Sequence, residues 1–306
     1  MTVVIPVYNG MPYLPETVDS VLAQTYASFL LLLVNDGSTD GSAAYLDSLR
    51  DERVQVWHKE NTGLCDTLNR AIRSCETELV ARLDQDDVSV PTRLAEQVAY
   101  LDAHPETDCV LTQVSRISSS GREFAAYRTG DDTHAQPYDS SVFGCIANST
   151  LMIRQRAFEA AGGYRPELYP ADDYDLLLRL EERGRTVVLN EPLVKYRVHE
   201  EAGTFATFAE MDVLTAYAEA ASRQRAHGQR ELPLEEFRRQ YAQAAWPSRL
   251  GRAASRRGRR AFRRAGARIG EGQLVQGAGD LMTAVLLAPV FSVDRLTGLV
   301  GGAKSR

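Results

Sequence analysis

Short apolar runs and amphipathic stretches alternate through the first 120 residues. Residues 2–7 (TVVIPV) are a β-branched run that ends at the turn-prone YNG, which predicts a strand. Residues 15–24 (PETVDSVLAQ) carry apolar positions at 18, 21 and 22 behind an early acid, the pattern of a helix start. Residues 29–35 (FLLLLVN) are continuously apolar, as a strand covered on both faces must be. The loop 36–42 (DGSTDGS) leads into a helix at AAYLDSLR. The series then repeats, with a strand at 54–58, a helix at 63–75, a strand at 78–84, a helix at 91–104 opened by Pro91, and a strand at 108–117. This order predicts an α/β domain on a mostly parallel sheet with helices on both faces. Ligands of such sheets sit beyond the carboxyl ends of the strands. Three polar loops fall there: PVYNG, NDGSTDG and DQDD.

Past residue 120 the pattern changes. Residues 148–164 read as a strand then a helix stopped by Gly162-Gly163, and 172–184 as an amphipathic helix with acids in its first turn. RTVVLN and LVKYRVH (193–199) read as two short strands, and from about 204 the chain reads as helical. The expected division is an α/β domain at 1–203 and a helical C-terminal region at 204–306.

Charge separates these regions further. The 306 residues carry a formal charge of −6, but residues 249–306 hold twelve Lys/Arg against three Asp/Glu. Nine arginines lie between Arg249 and Arg268 with no acid among them. An acidic body with a basic end implies two tasks. The four cysteines (Cys65, Cys75, Cys109, Cys145) show no C-x-x-C spacing and read as reduced thiols of a cytoplasmic protein. MTVVIPVYNG starts a strand without a charged n-region, so no secretory leader is expected. The apolar stretch 281–300 is interrupted by Pro289, Asp294 and Arg295, which suits a core helix or a surface-lying segment better than a spanning one.

The chemistry concentrates at strand ends. Asp84 and Asp86 stand two apart after the strand at 78–84, where backbone bending can aim both at one cavity. Carboxylate oxygens are hard ligands for Mg²⁺ or Mn²⁺, which take one or two of them and fill the remaining positions with water and phosphate. The plain alternative is a solvated turn, with Asp87 capping the next helix. Tyr8 is placed to stack a nucleobase, or simply to sit on the sheet rim. Asp36 is placed to accept a uracil or thymine imide N–H, or to make an Asx-turn. Asp172 and Asp173 head a helix, where acids complement the dipole or serve as a general base.

Taken together these stretches resemble the family 2 glycosyltransferases, of GT-A fold. The resemblance covers residues 2–200 and runs through VVIPVYNG, SVLAQTY, LLLVNDGSTDGS, ENTGL, ARLDQDDVSVPTRLAEQ, NSTLMIR, GGYRPELYPADDYDLLLRL and LVKYRVH in the family's order. It implies an enzyme that moves a sugar from a UDP- or dTDP-sugar to an acceptor hydroxyl with inversion, in cell-surface glycan or polysaccharide synthesis. By the same resemblance Pro6, Tyr8 and Asp36 hold the base with Asn61 beside it. Asp84 contacts the ribose or the water shell of the metal, Asp86 coordinates Mn²⁺ or Mg²⁺, and His199, near the diphosphate, is a second candidate metal residue. Asp173 is the catalytic base and Asp172 its neighbour on the acceptor side. Two positions depart from the family. Leu68-Asn69 replaces an Arg–Asn pair, which leaves Arg82 as a substitute diphosphate contact, and Leu177 replaces a Trp that shapes the acceptor pocket.

Acceptors of that family are often lipid-linked sugars, so the basic stretch and the apolar segment behind it (249–300) imply contact with an anionic membrane surface on its inner, cytoplasmic face. Nucleic acid is not an expected partner, because no aromatic residues interleave the arginines in a binding motif. Two other functions compete. A sugar-nucleotide pyrophosphorylase needs a Gly-rich basic first loop, which IPVYNGMP lacks. A degenerate, non-catalytic sugar-nucleotide-binding module is opposed by the intact Asp86 and Asp173.

Overall fold

The computed structural model describes residues 1–126, 134–143, 146–199 and 208–243 and, within 254–288, residues 254, 257–258, 261–262, 264–266 and 268–288. In chain order its elements are β1 (Thr2–Val7), α1 (Leu14–Leu22), β2 (Leu30–Asp36), α2 (Ser42–Ser48), β3 (Val54–Lys59), α3 (Leu64–Ser74), β4 (Leu79–Arg82), β5 (Val88–Ser89), α4 (Arg93–Ala103), β6 (Cys109–Ile117), β7 (Glu123–Ala126), β8 (Ala135–Pro137), α5 (Ser140–Phe143), β9 (Met152–Arg154), α6 (Gln155–Ala160), α7 (Asp172–Glu181), β10 (Thr186–Arg197), α8 (Phe208–Ala226), α9 (Leu234–Gln243) and α10 (Leu274–Leu287).

The strands join one sheet in the order β3-β2-β1-β4-β9-β6-β10-β5, with β7 on β6 and β8 on β10. β1 to β4 run parallel, and β9 lies antiparallel to both β4 and β6. The alternation of a strand sends neighbouring side chains to opposite faces. On β1, Val4 therefore joins Leu32, Val34 and Val80 under α3 (Leu68, Ile72) and α7 (Leu176, Leu177, Leu180). Val3 and Ile5 join Leu31, Leu33 and Ala81 under α1 (Leu14, Val18, Val21) and α4 (Leu94, Leu101). Each such Leu, Ile or Val contributes roughly 1.5–3 kcal/mol by leaving water. Buried on both faces, the middles of β1 (Val3–Val7) and β2 (Leu31–Val34) have to be apolar at every position, which is why their periodicity is invisible.

Two expectations change. The two short strands around Pro192 are one twelve-residue strand, β10. Its halves use different partners, Val187–Leu189 pairing with β8 and Val194–Lys195 with β5. Pro192 falls between these two pairings. The strands β5, β7 and β8, of two to four residues, are too short to show a period. Cys65, Cys75 and Cys109 are buried free thiols, while Cys145 lies outside the described residues.

The chain forms two compact units. One comprises Met1–Ser115, Thr129–Glu167 and Asp172–Tyr196. The other comprises Arg116–Arg128, Leu168–Ala171 and Arg197–Arg306. In the second unit Leu214, Tyr217 and Ala221 of α8 pack with Leu168, Ala171, Leu234 and Phe237. Tyr217 meets Phe237 edge-on, and its hydroxyl donates to the Leu232 carbonyl (3.0 Å). The β6–β7 turn is tied down within the same unit, the Ser119 N–H donating to Glu271 (2.9 Å) and Arg122 to the Gly270 carbonyl.

Candidate active site

Leaving β4, the chain stays extended for one more residue, with the Leu83 N–H on the Val4 carbonyl (3.2 Å). The next residues turn, with Gln85 and Asp86 at the bend and the Asp87 N–H donating to the Asp84 carbonyl (3.2 Å). Gln85 turns toward the loop after β1. Its Oε1 accepts the Tyr8 N–H (2.8 Å) and its Nε2 donates to the Tyr8 carbonyl (3.0 Å). This amide imitates one more strand pairing and fixes the carboxylate loop against the Tyr8 loop. The far side of that loop is stitched to the β2–α2 loop: the Gly10 N–H donates to Ser42 Oγ (2.9 Å), the Met11 N–H to Asp40 (3.1 Å) and the Thr39 N–H to Asn9 Oδ1 (2.7 Å). The Tyr8 residue is left 49% exposed on the rim.

Asp36 closes β2, 4% exposed. It accepts the N–H groups of Thr62 (2.9 Å) and Gly63 (3.0 Å) and an ion pair from Lys59. Burial opposes its ionisation, but the Lys59 ammonium and the Thr62 N–H outweigh that and hold the carboxyl below its usual value. Three donors therefore occupy a group expected to meet a nucleobase directly, and its evident work is to shape the 59–63 loop. Exposed Asn61 is brought against Gly37, where a Cβ would stand 2.9 Å from the Asn61 nitrogen. Pro6, Tyr8, Asp36 and Asn61 thus gather at the carboxyl ends of adjacent strands β1, β2 and β3.

Arg82 departs from expectation. It is 4% exposed, so it is a buried cation rather than an open phosphate contact. Its Nε (3.0 Å) and Nη2 (2.8 Å) grip Asp84 Oδ1, Nη1 donates to the Tyr164 hydroxyl (3.3 Å), and the guanidinium lies 5.5 Å from that ring centre. Asp84 is thereby partly neutralised, and its own N–H donates to Ser149 Oγ (3.1 Å). Asp87, expected to cap a helix, is instead buried and accepts the Ser149 hydroxyl. Beneath this turn lies fully buried Arg93, which donates to the Arg82 carbonyl (2.8 Å) and to Gln97 (3.0 Å). Burial lowers Arg93 to about 9, against the raising fields of Asp87 and Asp84.

Tyr164 is delivered by α3. Asn69, the residue left from the missing Arg–Asn pair, accepts the Tyr164 N–H (2.9 Å) and donates to its carbonyl (2.8 Å). The preceding Gly163 has φ +73°, and a Cβ there would lie 2.5 Å from Asn69 Oδ1, the same atom that accepts from Tyr164. Gly163→Ala is therefore expected to cost about 1–3 kcal/mol through left-handed backbone strain and this clash. Urea unfolding of the two proteins side by side measures it, and an unchanged midpoint would refute the clamp.

The same segment carries the second acid pair. Buried Asp175 on α7 receives Arg165 and Arg179, and Arg179 also donates to the Gly163 carbonyl (2.7 Å). These bonds fix the first turn of α7 to the GGYR loop. Asp172 is buried there and takes a hydrogen bond from the Cys65 thiol. Its Oδ2 is sealed from water without a hydrogen-bond partner among the described residues. Burial first and Asp173 second push Asp172 up to about 7, with Arg82 opposing them. Asp173 is half-buried, and its Oδ1 accepts the adjacent Tyr174 N–H (2.7 Å). Arg82 and Tyr164 both feel Asp84 and Asp172. The end of β4 and the start of α7 therefore share one electrostatic neighbourhood.

Asp86 is half-buried on the β4 loop. Among the described residues no three His, Cys, Asp or Glu side chains gather as a ready-made metal cage. That donor set fits a hard divalent cation held by one protein carboxylate and otherwise by water and phosphate. His199 lies just past β10 in the second compact unit. Sequence reasoning missed Gln85, Tyr164 and Cys65.

Comparison with known proteins agrees with this architecture. The model of the family described as "Glycosyl transferase family 2" matches residues 2–162. The putative glycosyltransferase EpsE of Bacillus subtilis is 30% identical over 212 residues, 67% of this chain and 74% of that protein. An uncharacterized Rickettsia felis glycosyltransferase is 28% identical over 67% of this chain, which spans only 35% of that relative's length. Against its Rickettsia typhi counterpart the chain spans 65%. Among solved structures, Staphylococcus aureus TarS in complex with UDP-GlcNAc superposes with a TM-score of 0.59 at 16% identity, over 95% of this chain and 90% of that one. The mannosyltransferase PcManGT of Pyrobaculum calidifontis, in complex with GDP-Man and Mn²⁺, gives 0.55 at 19%, over 99% and 79%. The sheet order, the loops at its strand ends and the family match over more than half the sequence lead to one assignment: the chain has the GT-A fold and belongs to glycosyl transferase family 2.

Proposed function

We propose that this protein transfers a sugar from a nucleoside-diphosphate sugar to an acceptor hydroxyl with inversion at the anomeric carbon. The observation that carries the reading is the meeting of the β4-end acids with the first turn of α7. Asp173 there stands beside the helix's positive end, half-exposed and next to a second carboxyl. In the reaction the acceptor oxygen bonds to the anomeric carbon as the bond from that carbon to the diphosphate oxygen breaks. The acceptor proton goes to Asp173, and the electron pair leaves with the nucleoside diphosphate. A carboxylate is a weak base toward an alcohol, so Asp173 acts as the oxocarbenium-like centre develops and by holding the hydroxyl in line. Pro6, Tyr8 and Asn61 form the base pocket, with Asp36 bracing it. Asp84, oriented by Arg82, faces the ribose. Asp86 is the protein ligand for Mn²⁺ or Mg²⁺, which when bound neutralises charge on the departing diphosphate. Titratable Asp172 lies on the acceptor side. The metal-bound mannosyltransferase and the UDP-GlcNAc-bound TarS support the metal and donor classes.

A thermal-shift series of UDP-, dTDP- and GDP-sugars with and without Mn²⁺ tests the reading. It is expected to show metal-dependent stabilisation by one donor class, followed by transfer or slow donor hydrolysis. Asp86→Ala is expected to remove the metal-dependent part of the shift and to weaken donor binding roughly tenfold or more, since one carboxylate anchors the cation. Equal donor affinity with and without Mn²⁺ in both proteins would remove Asp86 from the metal role.

A further inference from the structure

α10 wears its side chains inside out. Its buried stripe is small: Gly277 and Ala284 face inward, and so does Ala288 just beyond its end. Its buried acid Asp280 is neutralised by Arg268 (2.8 Å) and Arg264 (3.2 Å). A Cβ on Gly277 would come within 2.6 Å of Ile269 Cγ1, and one on Gly258 within 2.6 Å of the Ala288 Cβ. The arginine-rich stretch, whose described residues between 254 and 270 are helical up to Gly270, thus packs on α10 at near-backbone distance. The large apolar groups of α10 point away from that contact: Leu274 is 66% exposed, Val275 85%, Met282 67% and Leu286 75%. Positions 275, 282 and 286 share one helical face. Exposed Ala278 and Gly279 lie between them, and no acid interrupts the face. A contiguous apolar face of this kind marks a contact surface rather than scattered surface residues.

Charge identifies the partner. Beside that face Arg257, Arg264, Thr283 and Leu287 line an open cleft of about 250 Å³. Both arginines are exposed. The segment 249–306 carries twelve Lys/Arg against three acids, and one of those acids is Asp280, already neutralised. A second copy of the chain meeting this face about a two-fold axis would set one cationic patch against another. An anionic lipid surface neutralises the arginines and buries the apolar stripe together. Among the described residues no helix is long and apolar enough to cross a membrane.

We propose that α10 lies flat on an anionic bilayer, with Val275, Met282 and Leu286 dipping among the acyl chains while Arg257 and Arg264 engage lipid phosphates. The inference is independent of the transfer chemistry. The test is co-sedimentation of the full chain with vesicles of phosphatidylcholine alone or mixed with phosphatidylglycerol, at low and high salt. Binding is expected only to the anionic vesicles, weakening with salt. Met282→Ser with Leu286→Ser is expected to reduce partitioning roughly tenfold or more. Arg257→Gln is expected to reduce it about fivefold. Melting temperatures should hold, since all three side chains are exposed. Absence of binding to anionic vesicles, or equal binding by the double serine variant, would overturn the proposal. So would light scattering that shows a dimer dissolved by the double variant, which assigns the face to a second copy.

Discussion

Asp173→Asn is expected to lower sugar transfer by roughly 10²–10⁴-fold, the usual range for loss of a general base. Donor affinity in the presence of Mn²⁺ should stay nearly unchanged. The geometry makes this substitution clean. Asp173 Oδ1 accepts the Tyr174 N–H at 2.7 Å, and the amide oxygen of Asn can accept the same bond, so the helix start survives. What disappears is the charged carboxylate oxygen that the proposed mechanism assigns to the acceptor proton. A second consequence separates this variant from a merely unfolded one. Asp173 is the second cause, after burial, of the raised Asp172 value. Removing its charge brings Asp172 back toward ordinary carboxylate behaviour, so the folded variant should hold more stability than wild type above pH 7. Single-turnover transfer, donor titration and melting at pH 8 together read these effects. Near-normal turnover would show that another group accepts the proton.

The sequence made the parallel half of the sheet legible because that half is built from regular pieces. β1, β2 and β4 are apolar runs closed by polar loops, β3 alternates at the sheet edge, and each helix shows its buried face at helical spacing. Tyr8, Asp36, Asp84 and Asp86 stood out as candidates because a strand end in such a sheet is where ligands sit. Their working state was not legible, because it depends on partners distant in sequence. Arg82 reads as a phosphate contact until Tyr164 is found 82 residues away with its hydroxyl at 3.3 Å. Asp36 reads as an open acceptor until the 59–63 loop folds over it. Arg93 and Gln97 left a faint trace as two polar residues spaced i, i+4 on the apolar face of α4, but only the buried carbonyls of Arg82 and Thr150 explain them. β10 was read as two strands because its two apolar runs are separated by Glu191-Pro192, whereas the pairing that spans them is not local.

Arg82→Met is expected to destabilise the first compact unit by about 3–5 kcal/mol at pH 8, the range for removing one partner of a buried ion pair. The loss is not confined to Asp84, which can turn to water. Tyr164 loses a donor to its buried hydroxyl, and Asp172 loses the cation that offsets burial and Asp173. The pH dependence follows from Asp172. Its folded value, about 7, stands above the ordinary 3.8, so between those limits the native state binds more protons than the unfolded chain. Stability then falls as pH rises through that window and levels off above it. Without Arg82 the carboxyl holds its proton to still higher pH, so the variant keeps losing stability where wild type has levelled off. The deficit should therefore be distinctly larger at pH 8 than at pH 5, where Asp172 is protonated in both folded proteins. Urea unfolding followed by tyrosine and tryptophan fluorescence at the two pH values measures it. Adding Asp172→Asn to Arg82→Met should recover much of the pH 8 deficit, because the amide carries no charge to bury. A deficit independent of pH, or unrelieved by the second substitution, would place the role of Arg82 in packing alone and remove it as the counter-charge that holds the two acid pairs together.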